Sequence, residues 1–343
     1  MRRPATLDLP LRAAFVVSIL FLAACGETTP SQPTSSDDPA VIQPSLGTAS
    51  NTWTEKASIL ADQYFGGYSV GMAPNAKGES IVYVIGGSSA DNGSTSYPIE
   101  AYNTVTNIWN FKGSSADAAG LNGVGKIGSR LYFSGGYDYG SGSFAYHNTL
   151  WAYDYTNDRM IRKANMPVIS GRGVTGVING KLYVLPGTCA SELYPIAGYC
   201  AAEPIRKLYR YDPSTNTWAT RASAPHFHKH GAAGVINNKF YVVAGVHDFD
   251  PVADLDMYDP ATNTWKTLAP LPGGGGGVIG AVIQGQLFVL AAGHVYAYYP
   301  ATNKWTAKAA LPSSSGEWEL TRVFIGGNPY LFFAGKPSQL YTP

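Results

Sequence analysis

One eleven-residue segment, written repeatedly, constrains this chain more than any other feature. Residues 208–218 read Leu-Tyr-Arg-Tyr-Asp-Pro-Ser-Thr-Asn-Thr-Trp, and residues 257–265 read Met-Tyr-Asp-Pro-Ala-Thr-Asn-Thr-Trp. Residues 298–305 repeat the unit as Tyr-Tyr-Pro-Ala-Thr-Asn-Lys-Trp. Weaker copies occupy 102–109 and 153–160, the latter with Met160 in place of the tryptophan. Apolar runs ending in glycine stand at 82–87, 131–136, 182–187, 240–245, 287–293 and 331–335. Counted from Trp53 through Met160 to Trp305, the intervals are 56, 51, 58, 47 and 40 residues. A period near fifty marks an array of small units, none of which can bury its apolar faces alone.

Each copy predicts four strands. A small/apolar alternation such as 173–178 comes first and turns through Asn179-Gly180, Asn237-Asn238 or Gln284-Gly285. Such pairs suit tight hairpins that need positive φ. The apolar run returns as the second strand and a loop leads to the Tyr-bearing third. The Asp-Pro-x-Thr-Asn turn then leads to the Trp-bearing fourth. Four-stranded meanders stacked radially bury both faces, and closing the ring leaves few exposed edges. These features resemble the kelch family of β-propellers. The resemblance implies an all-β fold over 49–343: a six-bladed kelch-type β-propeller with four-stranded blades. The chain stops at Leu340-Tyr341-Thr342-Pro343, midway through the unit, whose missing half is Ala49-Ser50-Asn51-Thr52-Trp53. The N-terminal strand is therefore expected to complete the last blade. In this frame Trp53, Trp109, Trp218, Trp265 and Trp305 share one position and pack between blades. Most of the 23 tyrosines and 39 glycines become scaffold, and Asp212 and Asp259 become turn formers ahead of proline.

The first 48 residues read as address and tether. Arg2, Arg3 and Arg12 precede an apolar run over 13–24, shorter than the roughly 20 residues of a membrane-spanning helix. The run ends Leu22-Ala23-Ala24-Cys25, which resembles the lipobox of bacterial lipoproteins. That resemblance implies a signal peptide over 1–24 and lipidation of Cys25. It also implies export to the periplasmic or cell-surface side of a bacterial membrane, the outer membrane if the cell is Gram-negative. Residues 25–48 are rich in Ser, Thr and Pro, the composition of a flexible tether. In an oxidising compartment Cys189 and Cys200 are expected to form a disulfide within one long loop.

Charge excludes one class of partner. The 24 Lys and Arg nearly balance 23 Asp and Glu, so no basic excess points to nucleic acid. Long irregular segments at 88–98, 137–148, 188–205 and 246–253 fall on one face, the usual place for binding. Departures from the repeat at the start of the first strands are the candidate ligand contacts: Tyr68, Asn122, Arg172, His228, His230, Trp318 and Arg322. Aromatic faces and an Arg that can clamp a carboxylate suit a sugar or sugar acid. In His226-x-His228-x-His230 an extended chain would put three imidazoles on one face, yet no metal and no cofactor is expected. The leading expectation is a monomeric binding or interaction module for a protein or carbohydrate ligand in the cell envelope. The alternative is an isomerase, since periplasmic N-acetylneuraminate epimerases are similar in architecture and compartment. For that chemistry Glu317 or Glu319 with His230 would supply acid and base.

Overall fold

The structure is a computed structural model and describes residues 50–60, 63–89, 98–114, 121–138, 145–188, 205–247, 250–312, 315–325 and 327–343. Strand alternation and turn chemistry combine as the sequence predicts. Six four-stranded antiparallel sheets form the blades of a six-bladed β-propeller within the compact unit Leu46–Pro343. In blade three the strands run Val174–Ile178, Lys181–Leu185, Lys207–Asp212 and Thr217–Ser223, from inside to outside. The first hairpins turn through left-handed residues, with φ 49° at Asn179, 50° at Asn237 and 47° at Gln284. Blade six is assembled from both ends of the propeller. The strand Thr52–Lys56 pairs antiparallel with Ser338–Thr342, placing Trp53 opposite Tyr341. The ring is therefore closed by backbone hydrogen bonds between residues almost three hundred positions apart.

Inner strands converge on the axis and leave little room for side chains. A Cβ on Gly176 would lie 2.7 Å from the Phe240 ring, and one on Gly234 would lie 2.2 Å from a Val282 methyl. Glycine there lets adjacent blades touch where the wedge is narrowest. Farther out, Tyr, Phe, Leu and Val from neighbouring second and third strands fill the gaps, with Tyr211, Tyr258, Tyr298 and Tyr341 fully buried.

The repeated tyrosine, asparagine and tryptophan act together on one peptide of the preceding blade. Trp53, Trp109, Trp218, Trp265 and Trp305 donate their indole N–H groups to the carbonyls of Ala309, Ala57, Ala164, Ala222 and Ala269, at 2.8–3.2 Å. The N–H of each same alanine donates to the Oδ1 of Asn51, Asn107, Asn216, Asn263 or Asn303, at 2.7–3.1 Å. A buried tyrosine hydroxyl donates to that same Oδ1 at 2.7–2.8 Å. Burial pushes these five phenols, Tyr102, Tyr211, Tyr258, Tyr298 and Tyr341, up to about 12, so they stay donors. Each asparagine reaches its place with positive φ, from 53° to 63°, which Asn tolerates better than most residues.

The junction between blades one and two differs. Asp158 takes the asparagine's place, accepts from Tyr153 and pairs with Lys112 of blade one at 3.2 Å. Met160 supplies no N–H there. Removing one asparagine elsewhere should expose what this clamp is worth. Asn263→Ala strips acceptors from the Ala222 amide and the Tyr258 hydroxyl, so urea unfolding should show a loss of about 2 kcal/mol. A loss within error of zero would mean that apolar packing alone joins these blades.

Candidate functional site

A cavity of about 590 Å³ lies at the centre of the ring, lined by all six inner strands through residues such as Val70, Val124, Thr175, Ala233, Ile279 and Thr321. That volume falls within the range of small-molecule sites. Most of the lining is small or aliphatic. The polar exceptions gather where inner strands begin, at Arg172 and His230, with Tyr68 beside them.

Arg172 and His230 occupy corresponding places in blades three and four, and both are left-handed, with φ 56° and 57°. Non-glycine residues in that region cost about 1 kcal/mol or more. Main-chain bonds hold the conformation: His230 N–H donates to the Arg172 carbonyl at 2.9 Å, and Val278 N–H donates to the His230 carbonyl at 3.0 Å. The guanidinium then spans three blades. It donates to the Tyr137 hydroxyl at 2.6 Å, lies 5.1 Å from the centre of that ring, and approaches His230 Nε2 at 3.1 Å. A guanidinium can only donate, so Nε2 is the acceptor and the neutral ring carries its proton on Nδ1. Burial first, then the charges of Arg172 and Lys229, push the His230 imidazole down to about 3. Among the described residues no carboxylate lies within ion-pair distance of Arg172.

The sequence candidates separate into distinct environments. Tyr68 borders the cavity, but its hydroxyl reaches across to the Ala334 carbonyl of blade six at 2.7 Å. Asn122 is fully buried and bonds to blade three, out of reach of a ligand in the cavity. His228 is likewise buried: Nδ1 meets the Ala244 carbonyl at 2.8 Å and Nε2 meets Asp256 at 3.0 Å. His226 joins the same carboxylate at 3.0 Å. The three histidines therefore do not share a face. The link bends, the left-handed turn at His230 breaks the alternation, and only His230 borders the cavity. Both ring nitrogens of His228 are occupied, and among the described residues no group of three His, Cys, Asp or Glu is arranged for a metal.

Arg322 follows the cavity-lining Thr321 but is exposed, with its guanidinium 5.1 Å from the Phe324 ring. Glu317, Trp318 and Glu319 belong to the inner strand Ser315–Ile325, where Glu319 pairs with Ala334; their side chains lie outside the described residues. Cys25, Cys189 and Cys200 also lie outside them. Sequence reading passed over two residues. Tyr137 follows Gly135-Gly136 in an irregular segment and carries no repeat signal. Asp256 stands where blade three has Tyr209, and a carboxylate at a buried strand position was the available clue. Burial alone would raise its pKa; bonds from His228, Thr267 and His226 outweigh that and hold it below the usual carboxylate range.

Two stretches match the Kelch motif. They are residues 172–225 and 229–272, which span blades three and four and begin at Arg172 and one residue before His230. No curated protein matches the chain. Among solved structures, one titled "Structure of YjhT" aligns with a TM-score of 0.60 at 15% identity, covering 83% of this chain and 94% of that one. At that identity the likeness is one of fold.

The local chemistry favours negative charge. Arg172 keeps N–H donors beyond those used on Tyr137 and His230, and the neutral imidazole adds no carboxylate-like competitor. His230 also makes the protein acid-sensitive in a defined window. An unfolded histidine protonates near 6.5, whereas the folded ring stays neutral down to about 3. The unfolded state thus binds the extra proton, and stability is lost as pH falls from about 6.5 toward 3. Comparing urea unfolding at pH 7 and pH 5, His230→Gln should lose less stability than the parent. An equal loss would show that His230 titrates normally.

Proposed function

We propose that this protein is a binding module whose ligand carries a carboxylate, such as an acidic sugar, and seats that group on Arg172 at the central cavity. The supporting observation is a guanidinium aimed by strained backbone at a small-molecule-sized cavity, with no acidic partner among the described residues. Two left-handed, non-glycine residues at the same point of adjacent blades are the kind of strain that binding sites retain. Bidentate pairing would give Arg172 both affinity and orientation. The isomerase alternative draws less support, because a general base near neutral pH needs a pKa near 7. His230, held near 3 with Nε2 occupied, does not meet that need.

A thermal-shift panel of matched sugars and sugar acids tests this reading. Acids should stabilise the protein while their neutral counterparts do not, and Arg172→Ala should weaken binding at least about tenfold. Equal shifts with neutral sugars, or an unaffected Arg172→Ala variant, would refute it.

The N-terminal pattern supports a second element of the reading, an exported protein anchored through lipid on Cys25 and carried on a flexible tether. Mass spectrometry of membrane fractions should find the mature chain beginning at an acylated Cys25, with Cys25→Ala released from the membrane. An unmodified N-terminus with residues 1–24 intact would contradict it.

A further inference from the structure

We infer that Asn122 is a positioning residue, holding Arg172 at the cavity from the neighbouring blade without touching the ligand. Its side chain is fully buried and brackets residue 172 on both sides. Oδ1 accepts from the Ser170 hydroxyl and from the Gly173 N–H, each at 3.0 Å, and Nδ2 donates to the Ser170 carbonyl at 3.4 Å. Its main-chain carbonyl accepts from the Thr175 hydroxyl at 2.7 Å. Ser170 in turn receives the Gly187 N–H on its hydroxyl at 3.2 Å, tying the bracket to the second strand of blade three.

The surrounding backbone leaves Arg172 one path. A Cβ on Gly187 would lie 2.1 Å from the Arg172 carbonyl oxygen, and one on Gly135 would lie 2.0 Å from the Ser170 carbonyl oxygen. Residues 170–173 are therefore pressed between glycines, and the amide of Asn122 fills the remaining gap with matched donors and acceptors. Strand register places Gly173 and Gly231 at the point of blades three and four that corresponds to Asn122. Those glycines have no side chain to reach into the next blade. The polar bracket thus stands beside the blade that carries the arginine. Since Arg172 is left-handed and non-glycine, it needs outside bonds to stay so, and a site gains affinity when a supporting residue fixes its anchor.

The consequence for ligand affinity rests on the reading of Arg172 as the ligand's anchor, whereas the positioning role has a readout of its own. Arg172 lies on His230 Nε2, so the titration of that ring reports where the guanidinium is; Lys229 is the other charge acting on it. Nitrogen-15 NMR of the His230 ring across pH 3–8 would follow Asn122→Ala, Ser170→Ala and, as a control, Asn216→Ala, which weakens a blade junction remote from Arg172. In Asn122→Ala the midpoint should rise by about one pH unit toward the ordinary histidine value, with a smaller rise in Ser170→Ala and none in Asn216→Ala. An unchanged midpoint in folded Asn122→Ala overturns the proposal, as does an equal rise in the control. If Asn122→Ala does not fold, an unchanged midpoint in Ser170→Ala overturns it. A raised midpoint with unaltered sugar-acid affinity would uphold the positioning role and remove Arg172 as the anchor.

Discussion

The propeller depends on one recurring interaction: an indole and a carboxamide from one blade gripping both polar groups of a single alanine peptide in the blade before it. A buried peptide with unmet hydrogen bonds would cost more than most contacts contribute. Here it is met fully, through the same atoms, at five blade junctions. The asparagine oxygen is shared with a tyrosine hydroxyl from the third strand, so the turn, the buried aromatic layer and the neighbouring blade are fixed by one atom. Because N-terminal Asn51 and Trp53 perform this task for blade six, ring closure uses the same device as every other well-formed junction.

A scaffold so regular makes irregularity informative. Where inner strands begin, the repeat needs only small residues, and blade five supplies glycine. Blades three and four place Arg172 and His230 there instead, at a conformational cost, and lace them by main-chain bonds. The outcome is a cationic group joined to a histidine that its surroundings keep neutral. Asn122 and Tyr137 of blade two hold that group from the other side. The candidate site is thus a property of a junction between three blades.

Much of this was legible in the sequence, for physical reasons that also mark where legibility ends. Asn-Gly turns and the Trp position report local geometry and repeat six or nearly six times, so blade count and ring closure could be read directly. The alanine four residues after each tryptophan was invisible as a partner, because it acts through its backbone. Arg172 and His230 stood out as departures from the repeat. Asn122 and His228 stood out equally, and sequence grouped them with the ligand contacts. Which side a residue faces near a left-handed turn depends on φ at His230, and a pattern of alternation cannot supply it. Asp256, which gathers His226 and His228 into the interior of blade four, was missed because its partners lie some thirty residues away.

Co-crystallisation with a uronic acid tests the central claim most directly. The account predicts ligand density in the central cavity with a carboxylate oxygen at about 2.7–2.9 Å from the Arg172 guanidinium and His230 still bonded through Nε2. A uronic acid bound on the outer rim, or lodged in the cavity with its carboxylate turned away from Arg172, would contradict it.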